Sequence, residues 1–133
     1  METTFSKQAL TYDRYALVQL FKAIEEVRGV DPEMQAQGIA LFLYSAIYPG
    51  CTMTDLQKNL GMTQSSCSRN VSALSEWHRL EKPGHGLLVA TPDPMERRRK
   101  IVRLTDKGEQ LAVSLTEAVM NPVRLSSFSK EVR

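Results

Sequence analysis

The sequence of 133 residues predicts a mainly α-helical domain with one small β-hairpin, built around a helix-turn-helix pair. Apolar residues recur at helical spacing through most of the N-terminal half and again near the C-terminus. Between residues 83 and 104 the period changes, and two short apolar strands flank a turn-rich loop. The length matches a single domain that can bury a core without disulfides.

Composition excludes several classes of protein. Hydrophobic residues make up 42% and charged residues 24%, which is typical of a globular chain and not of a disordered one. No apolar stretch approaches the ~20 residues of a membrane-spanning helix, and the first residues lack the pattern of a signal peptide. Cys51 and Cys67 are the two cysteines, too few for a disulfide framework. We therefore expect a cytoplasmic protein with no membrane partner.

Positive charge is concentrated in the middle of the chain. Residues 1–60 carry 5 basic and 7 acidic side chains, a net charge of −2. Residues 61–108 carry 9 basic and 5 acidic side chains, a net charge of +4. Such a distribution favours a surface that meets an anion such as nucleic acid, although many solvated surfaces are locally basic.

Two helices are predicted before the basic region. Apolar spacing indicates the first over Leu10–Val27, with Gly29 as its stop. Asp31, Pro32 and Glu33 predict the start of the second, because Asp suits the N-cap and Pro the first helical position. The second helix has apolar residues around most of its circumference, so we expect it to be buried on most sides.

A helix-turn-helix pattern follows. Thr54 is a candidate cap for a short helix over residues 55–60, Gly61 provides the turn, and Thr63 caps a second helix that runs to about His78. The inner stripe of that second helix consists of Cys67, Val71 and Leu74. The opposite stripe is polar and rich in serine, as in helices that enter the major groove.

The hairpin strands are predicted at Leu87–Thr91 and Ile101–Leu104, with Val102 and Leu104 facing inward. Thr105 is the predicted cap of a last helix that ends before Pro122. Residues 123–133 fit either a short additional helix or disorder.

The second helix of the pair is the candidate DNA-reading element. Short hydroxyl side chains let the backbone approach base edges, an arginine can donate to guanine, and the helix N-terminus offers free N–H groups to a phosphate. The candidate DNA-binding residues of this helix are Thr63, Gln64, Ser65, Ser66, Ser68, Arg69 and Ser72. The alternative is that these residues form only a polar, solvent-exposed helix surface, with Arg69 facing solvent or pairing with Glu76.

The loop of the hairpin carries the second candidate group, Arg97, Arg98, Arg99 and Lys100. A basic finger beside the helix could reach the neighbouring minor groove, where negative potential is concentrated. Asp93 and Glu96 are interpreted as orienting one or two of these arginines. The alternative is a solvated basic turn.

These residues resemble the winged-helix core of the multiple-antibiotic-resistance regulator (MarR) family. The resemblance covers residues 54–108 and is carried by TDLQKNLGMTQSSCSRNVSALSEW followed by DPMERRRKIVRLTDKG. The family pattern Asp-Pro-x-Asp-Arg-Arg, a basic residue, then Leu-Thr-x-x-Gly is matched except that Glu96 replaces the second Asp. The resemblance implies a winged helix-turn-helix with flanking dimerisation helices at residues 8–29 and 106–133.

The resemblance also implies a function. Family members are usually homodimers that bind a near-palindromic double-stranded DNA site, often as repressors, and many bind a small aromatic ligand that releases the DNA. The residues themselves leave one alternative open, a winged-helix module that binds a protein of the transcription machinery. Nothing in the sequence resembles a catalytic set, and no cofactor or metal site is expected.

Overall fold

The computed structural model describes residues 11–76 and 83–121, and it confirms a mainly α-helical fold with a small sheet. The elements in chain order are helix α1 (Arg14–Val30), α2 (Ala36–Ile47), strand β1 (Cys51–Thr52), α3 (Met53–Leu60), α4 (Gln64–Leu74), β2 (Leu88–Pro92), β3 (Lys100–Leu104) and α5 (Asp106–Met120). No helix among these residues is long and apolar enough to cross a membrane. Residues 8–10, His78 and residues 122–133, which enter the sequence predictions, lie outside the described residues.

The corner between α1 and α2 differs from the prediction. Helix α1 continues through Gly29 to Val30, and Asp31 is its C-cap. The predicted start of α2 at Asp31 and Pro32 is wrong, because α2 begins at Ala36. The Asp31 carboxylate caps no helix; it accepts from the main-chain N–H of Glu33 at 2.9 Å and lies 2.8 Å from His85 Nε2.

The cap of α3 is Thr52 and not the predicted Thr54. The Thr52 hydroxyl accepts from the Asp55 N–H at 3.0 Å, and the Asp55 carboxylate accepts from the Thr52 N–H at 3.0 Å. Thr54 also has a suitable residue three positions on, Gln57, so the local sequence pattern fits both threonines, and the structure forms this reciprocal capping box at Thr52. Gly61 then takes a left-handed conformation at φ 63°, and Thr63 caps α4 as predicted.

The sheet has three antiparallel strands in the order β1-β3-β2. The hairpin of β2 and β3 is present as predicted, shifted by one residue, with Ala90 opposite Val102. The two-residue strand β1 was not predicted; it adds Cys51 opposite Val102 on the other edge of β3. Val102 is fully buried, whereas Leu104, also predicted to face inward, is half-buried.

One core joins the helices to the sheet. Its fully buried members include Leu41, Phe42, Leu56, Cys67, Leu74, Leu87, Leu88 and Val102. The expectation that α2 is buried on most sides is wrong, since Leu43 and Ile47 are exposed along its outer side. Helices α1 and α5 pack against each other, and the Gln19 side-chain amide donates to the Val119 carbonyl.

Candidate nucleic-acid interface

Helix α4 presents different polar groups on its successive sides. Cys67 and Val71 face the core and are buried. At 100° per residue, Ser65 and Arg69 lie on the side opposite the core, and both are exposed. The proposed Arg69–Glu76 pair is absent from the described structure, in which α4 ends at Leu74 before it reaches Glu76.

The two remaining sides of α4 face other parts of the protein. Ser66 lies toward α2, where its hydroxyl is 3.2 Å from Gln37 Oε1. Asn70 is on the same side, with its amide 3.4 Å from that oxygen and 2.8 Å from the Ser66 carbonyl. Ser68 and Ser72 are half-buried and lie on the opposite side, toward the sheet.

The N-terminus of α4 is exposed at both residues named from the sequence. The Thr63 hydroxyl accepts from the Ser66 N–H at 3.1 Å, so it satisfies one of the four N–H groups that a helix start leaves free. Gln64 is the first helical residue and is exposed. The oxygen of Thr63 thus has a structural role, while the end of the helix stays accessible.

Asp93 organises the loop of the hairpin, which we call the wing loop (residues 93–99). Its Oδ1 accepts from the Met95 N–H at 2.9 Å, and its Oδ2 lies 2.8 and 3.1 Å from two guanidinium nitrogens of Arg99. The Asp93 N–H donates to the Arg99 carbonyl at 2.8 Å, which closes the loop. The Met95 N–H first, and the Arg99 guanidinium second, hold the pKa of Asp93 below its ordinary value.

The other charged side chains of the wing loop point away from the protein. Arg97, Arg98 and Lys100 are exposed, and in the described structure no ion pair holds any of them. Glu96 contributes through its main chain, since its carbonyl accepts from the Arg99 N–H at 2.9 Å. Among the described residues, its carboxylate pairs with no arginine. The structure thus places Asp93, and not Glu96, against an arginine.

An open groove of about 460 Å³ lies between helix α4 and the hairpin. Ser68 and Ser72 lie on one wall, and Val89 and Lys100 line the other. The serine-bearing helix and the basic hairpin therefore border one surface, with the wing-loop arginines exposed at the end of the hairpin.

Main-chain hydrogen bonds fix this arrangement. The N–H groups of residues 84–87 donate to the carbonyls of residues 73–76 at the C-terminal end of α4, over 2.7–3.0 Å. Gly84 is required here, because a Cβ atom would lie 1.9 Å from the Ser75 oxygen. The Thr105 hydroxyl donates to the Gly86 carbonyl at 2.6 Å and accepts from the Gly108 N–H at 3.0 Å. The Leu-Thr-x-x-Gly motif therefore joins α5 to the base of the hairpin.

Cys67 belongs to the core, as its position on the inner stripe predicted. Its exposure is 0%, and burial raises the pKa of its thiol. Cys51 is also buried, at 7% exposure, and burial raises the pKa of its thiol too. Both thiols favour the protonated form, which is the less reactive one.

Comparison with known proteins gives matches at the level of structure. No protein-family model and no curated protein sequence matches the chain. Among solved structures, S. aureus MepR in a DNA complex is 19% identical, with 85% of each chain covered and a TM-score of 0.64. The transcriptional repressor CouR, bound to a 23-mer DNA duplex, is 25% identical over 82% of this chain and 70% of its own, with a TM-score of 0.57.

MarR matches with 18% identity over 86% of this chain and 71% of its own, at a TM-score of 0.56. The chain has the winged-helix fold of the MarR-family regulators. The resemblance of residues 54–108 is thus confirmed at the level of the fold. In the terms of the MarR fold, α3 and α4 are the helix-turn-helix, β2 and β3 form the wing, and α1 and α5 are the flanking helices.

Two polar residues of the candidate interface, Gln37 on α2 and Asn70 on α4, were missed by sequence reasoning. Gln37 and Asn70 are 33 positions apart, and their contact depends on the packing of α2 against α4. Asn70 could have been noticed, since it lies four residues after Ser66 on one side of the helix. Nothing in the local sequence of Gln37 indicates its partner.

Proposed function

We propose that the chain is a sequence-specific, double-stranded DNA-binding transcription regulator that acts as a homodimeric repressor. One observation carries the proposal: the serine-rich helix and the arginine-tipped hairpin border the same groove, with their cationic side chains exposed. That surface, on a MarR fold, has the shape and charge that suit the edge of a duplex.

In the proposed complex, α4 lies in the major groove. Arg69 projects from the exposed side and can donate two hydrogen bonds to a guanine. Ser65 and Ser72 are short enough to let the helix approach the bases, and Ser68 lies at the edge of the groove. Ser66 is assigned a smaller part in DNA binding, because its hydroxyl is directed to Gln37.

The wing loop is proposed to enter the adjacent minor groove, and its arginines are assigned different roles. Arg97 and Arg98 are exposed and meet the DNA. Arg99 is held by Asp93, so its main role is to fix the loop conformation. Lys100 lines the groove beside α4 and suits a phosphate.

The homodimer is proposed to form across α1 and α5. Their exposed sides carry large apolar residues that a monomer would leave in water: Tyr15, Leu17, Leu20, Ile24, Val113, Val119 and Met120. A twofold contact through these helices presents two reading helices to two half-sites about one turn of DNA apart. Light scattering on the purified chain tests this, and a monomer at micromolar concentration would contradict it.

Selection of bound duplexes from a random pool is the test of function. We expect a near-palindromic sequence to be enriched and its affinity to fall steeply with salt. A pool without enrichment, together with binding that ignores sequence, would reject the regulator. If the chain binds no duplex at low salt, the protein-interaction module becomes the better account. The small aromatic ligand implied by the family stays a prediction, tested by adding small phenolic compounds to the bound complex.

A further inference from the structure

We propose that Gln37 is a positioning residue for DNA recognition, because it fixes the rotation of α4 about its own axis. The inference rests on the proposed function. It begins from an asymmetry: the two sides of α4 that flank its exposed surface are supported differently. On the sheet side, main-chain hydrogen bonds from residues 84–87 hold only the C-terminal end of α4, and the open groove lies between the rest of the helix and the hairpin. On the α2 side, a polar cluster holds the helix in contact.

The cluster is centred on one acceptor. Gln37 Oε1 lies 3.2 Å from the Ser66 hydroxyl and 3.4 Å from the Asn70 amide, so two residues one turn apart donate to the same oxygen. The Asn70 amide also donates to the Ser66 carbonyl at 2.8 Å, which ties the donors together. Because both donors lie on one side of α4, away from its axis, their shared acceptor on α2 opposes rotation of the helix about that axis.

The next residue, Gly38, also lies beside α4. Gly38 is buried, and a Cβ atom there would lie 3.6 Å from Met34 Cγ and 3.7 Å from Asn70 Oδ1. The first turn of α2 therefore lies against α4 beside the cluster. The core side of α4 at this level is the small residue Cys67, which provides less apolar packing than a leucine would.

A small rotation matters for base readout. Side-chain tips lie about 5–6 Å from the axis of a helix, so a rotation of about 10° moves them by about 1 Å. Binding groups need placement within about 0.5 Å, and hydrogen bonds weaken quickly beyond their ordinary lengths. Loss of the Gln37 brace should therefore reduce the preference for the correct base at Arg69, although Arg69 itself is unchanged.

The test compares three variants against the sequence selected by the wild-type protein. Gln37→Ala removes the acceptor, and we expect the affinity ratio between the selected site and single-base variants to fall by about 5- to 10-fold at one position per half-site. Gln37→Glu keeps an acceptor oxygen for Ser66 and Asn70. It should lower affinity for every duplex by charge repulsion but keep the ratio. The matched control is Gln35→Ala, since the Gln35 side chain forms no cap hydrogen bond.

Three readouts separate positioning from other roles. The slope of affinity against salt should stay at the wild-type value for Gln37→Ala, because no phosphate contact is lost. Loss of the ratio in both Gln37→Ala and Gln37→Glu would overturn the proposal in favour of a direct base contact by the carboxamide. The proposal would also be overturned if Gln37→Ala kept the wild-type affinity ratio between the selected site and its single-base variants, or if Gln35→Ala lowered that ratio as much as Gln37→Ala.

A measurement without DNA distinguishes failure of this inference from failure of the proposed function. Amide hydrogen exchange in α4 should become several-fold faster in Gln37→Ala and stay unchanged in Gln35→Ala. Unchanged exchange in Gln37→Ala would reject the brace, even if the wild type selects a site. A wild type that selects no sequence would reject the proposed function, and with it any role of Gln37 in recognition.

Discussion

Gly108→Ala should destabilise the protein strongly although it replaces a helical glycine with the best helix former. Gly108 is buried in the first turn of α5, and an added Cβ atom would lie 2.2 Å from the Leu87 carbonyl oxygen and 3.1 Å from its carbon. Leu87 cannot move freely, because its N–H donates to the Leu74 carbonyl at 2.7 Å and its carbonyl accepts from Thr105 at 3.0 Å. The methyl group must therefore displace main chain at the base of the wing.

The magnitude follows from opposing effects. Overpacking against fixed main chain costs about 3 kcal/mol, and weakening the hydrogen bond from Thr105 to Leu87 costs about 1 kcal/mol. Replacing glycine in a helix returns about 1 kcal/mol. We expect the free energy of unfolding to fall by about 3 kcal/mol, measured by urea denaturation followed by circular dichroism.

Gly29→Ala is the matched control. Gly29 lies inside α1, and a Cβ atom there would have no neighbour within 4 Å. This variant should be more stable than the wild type by up to about 1 kcal/mol. If Gly108→Ala were as stable as the wild type, or if both variants shifted stability equally, the close approach of α5 to Leu87 would be refuted.

Three other changes test the interface and the α1–α2 corner. Arg69→Ala should cost ~1–3 kcal/mol of base discrimination at one position per half-site in a selection experiment; unchanged preference would contradict major-groove contact. Arg97→Ala or Arg98→Ala should weaken binding to all duplexes and flatten the salt slope by about 0.9 per lost phosphate contact, and an unaltered slope would argue against the wing assignment. Asp31→Asn should lower stability at neutral pH, since the Glu33 N–H and then His85 depress the pKa of this carboxyl. That contribution is present above the unfolded-state pKa of about 3.9 and is lost as pH falls through the lower folded value, so acid urea titrations of variant and wild type should converge.

The local sequence correctly predicted those helix and strand ends that are determined by residues next to them in the chain. Thr63 and Thr105 cap their helices as expected, because a cap needs only a hydroxyl and the first helical turn. The hairpin followed from its period-two pattern. The cap of α3 was placed two residues late, since both Thr52 with Asp55 and Thr54 with Gln57 fit the capping pattern, and only the structure shows Thr52 at the end of β1 starting the helix.

Contacts between distant residues account for the other errors. Asp31 and Pro32 do not start α2; the Asp31 carboxylate instead accepts from the Glu33 N–H and contacts His85, 54 residues away. Strand β1 exists because β3 offers it an edge, which two residues of local sequence cannot reveal. In the candidate site, the exposed arginines were predictable from their position in the loop of the hairpin that follows the helix pair. Only the packed structure shows that Asp93 pairs with Arg99 and not with another arginine of the loop. The same is true of the contacts of Gln37 with Ser66 and Asn70.

The main-chain bonds between residues 84–87 and the end of α4, together with Thr105, have a mechanical consequence. We expect these bonds among the described residues to make helix α4, the hairpin and the start of α5 move together as one rigid unit, attached to the helix that we assign to the dimer. In a dimer, a change in the angle between the two α5 helices would swing both reading surfaces as solid bodies. The spacing between half-sites, and not the bases preferred within each, would then be the property that such a movement alters.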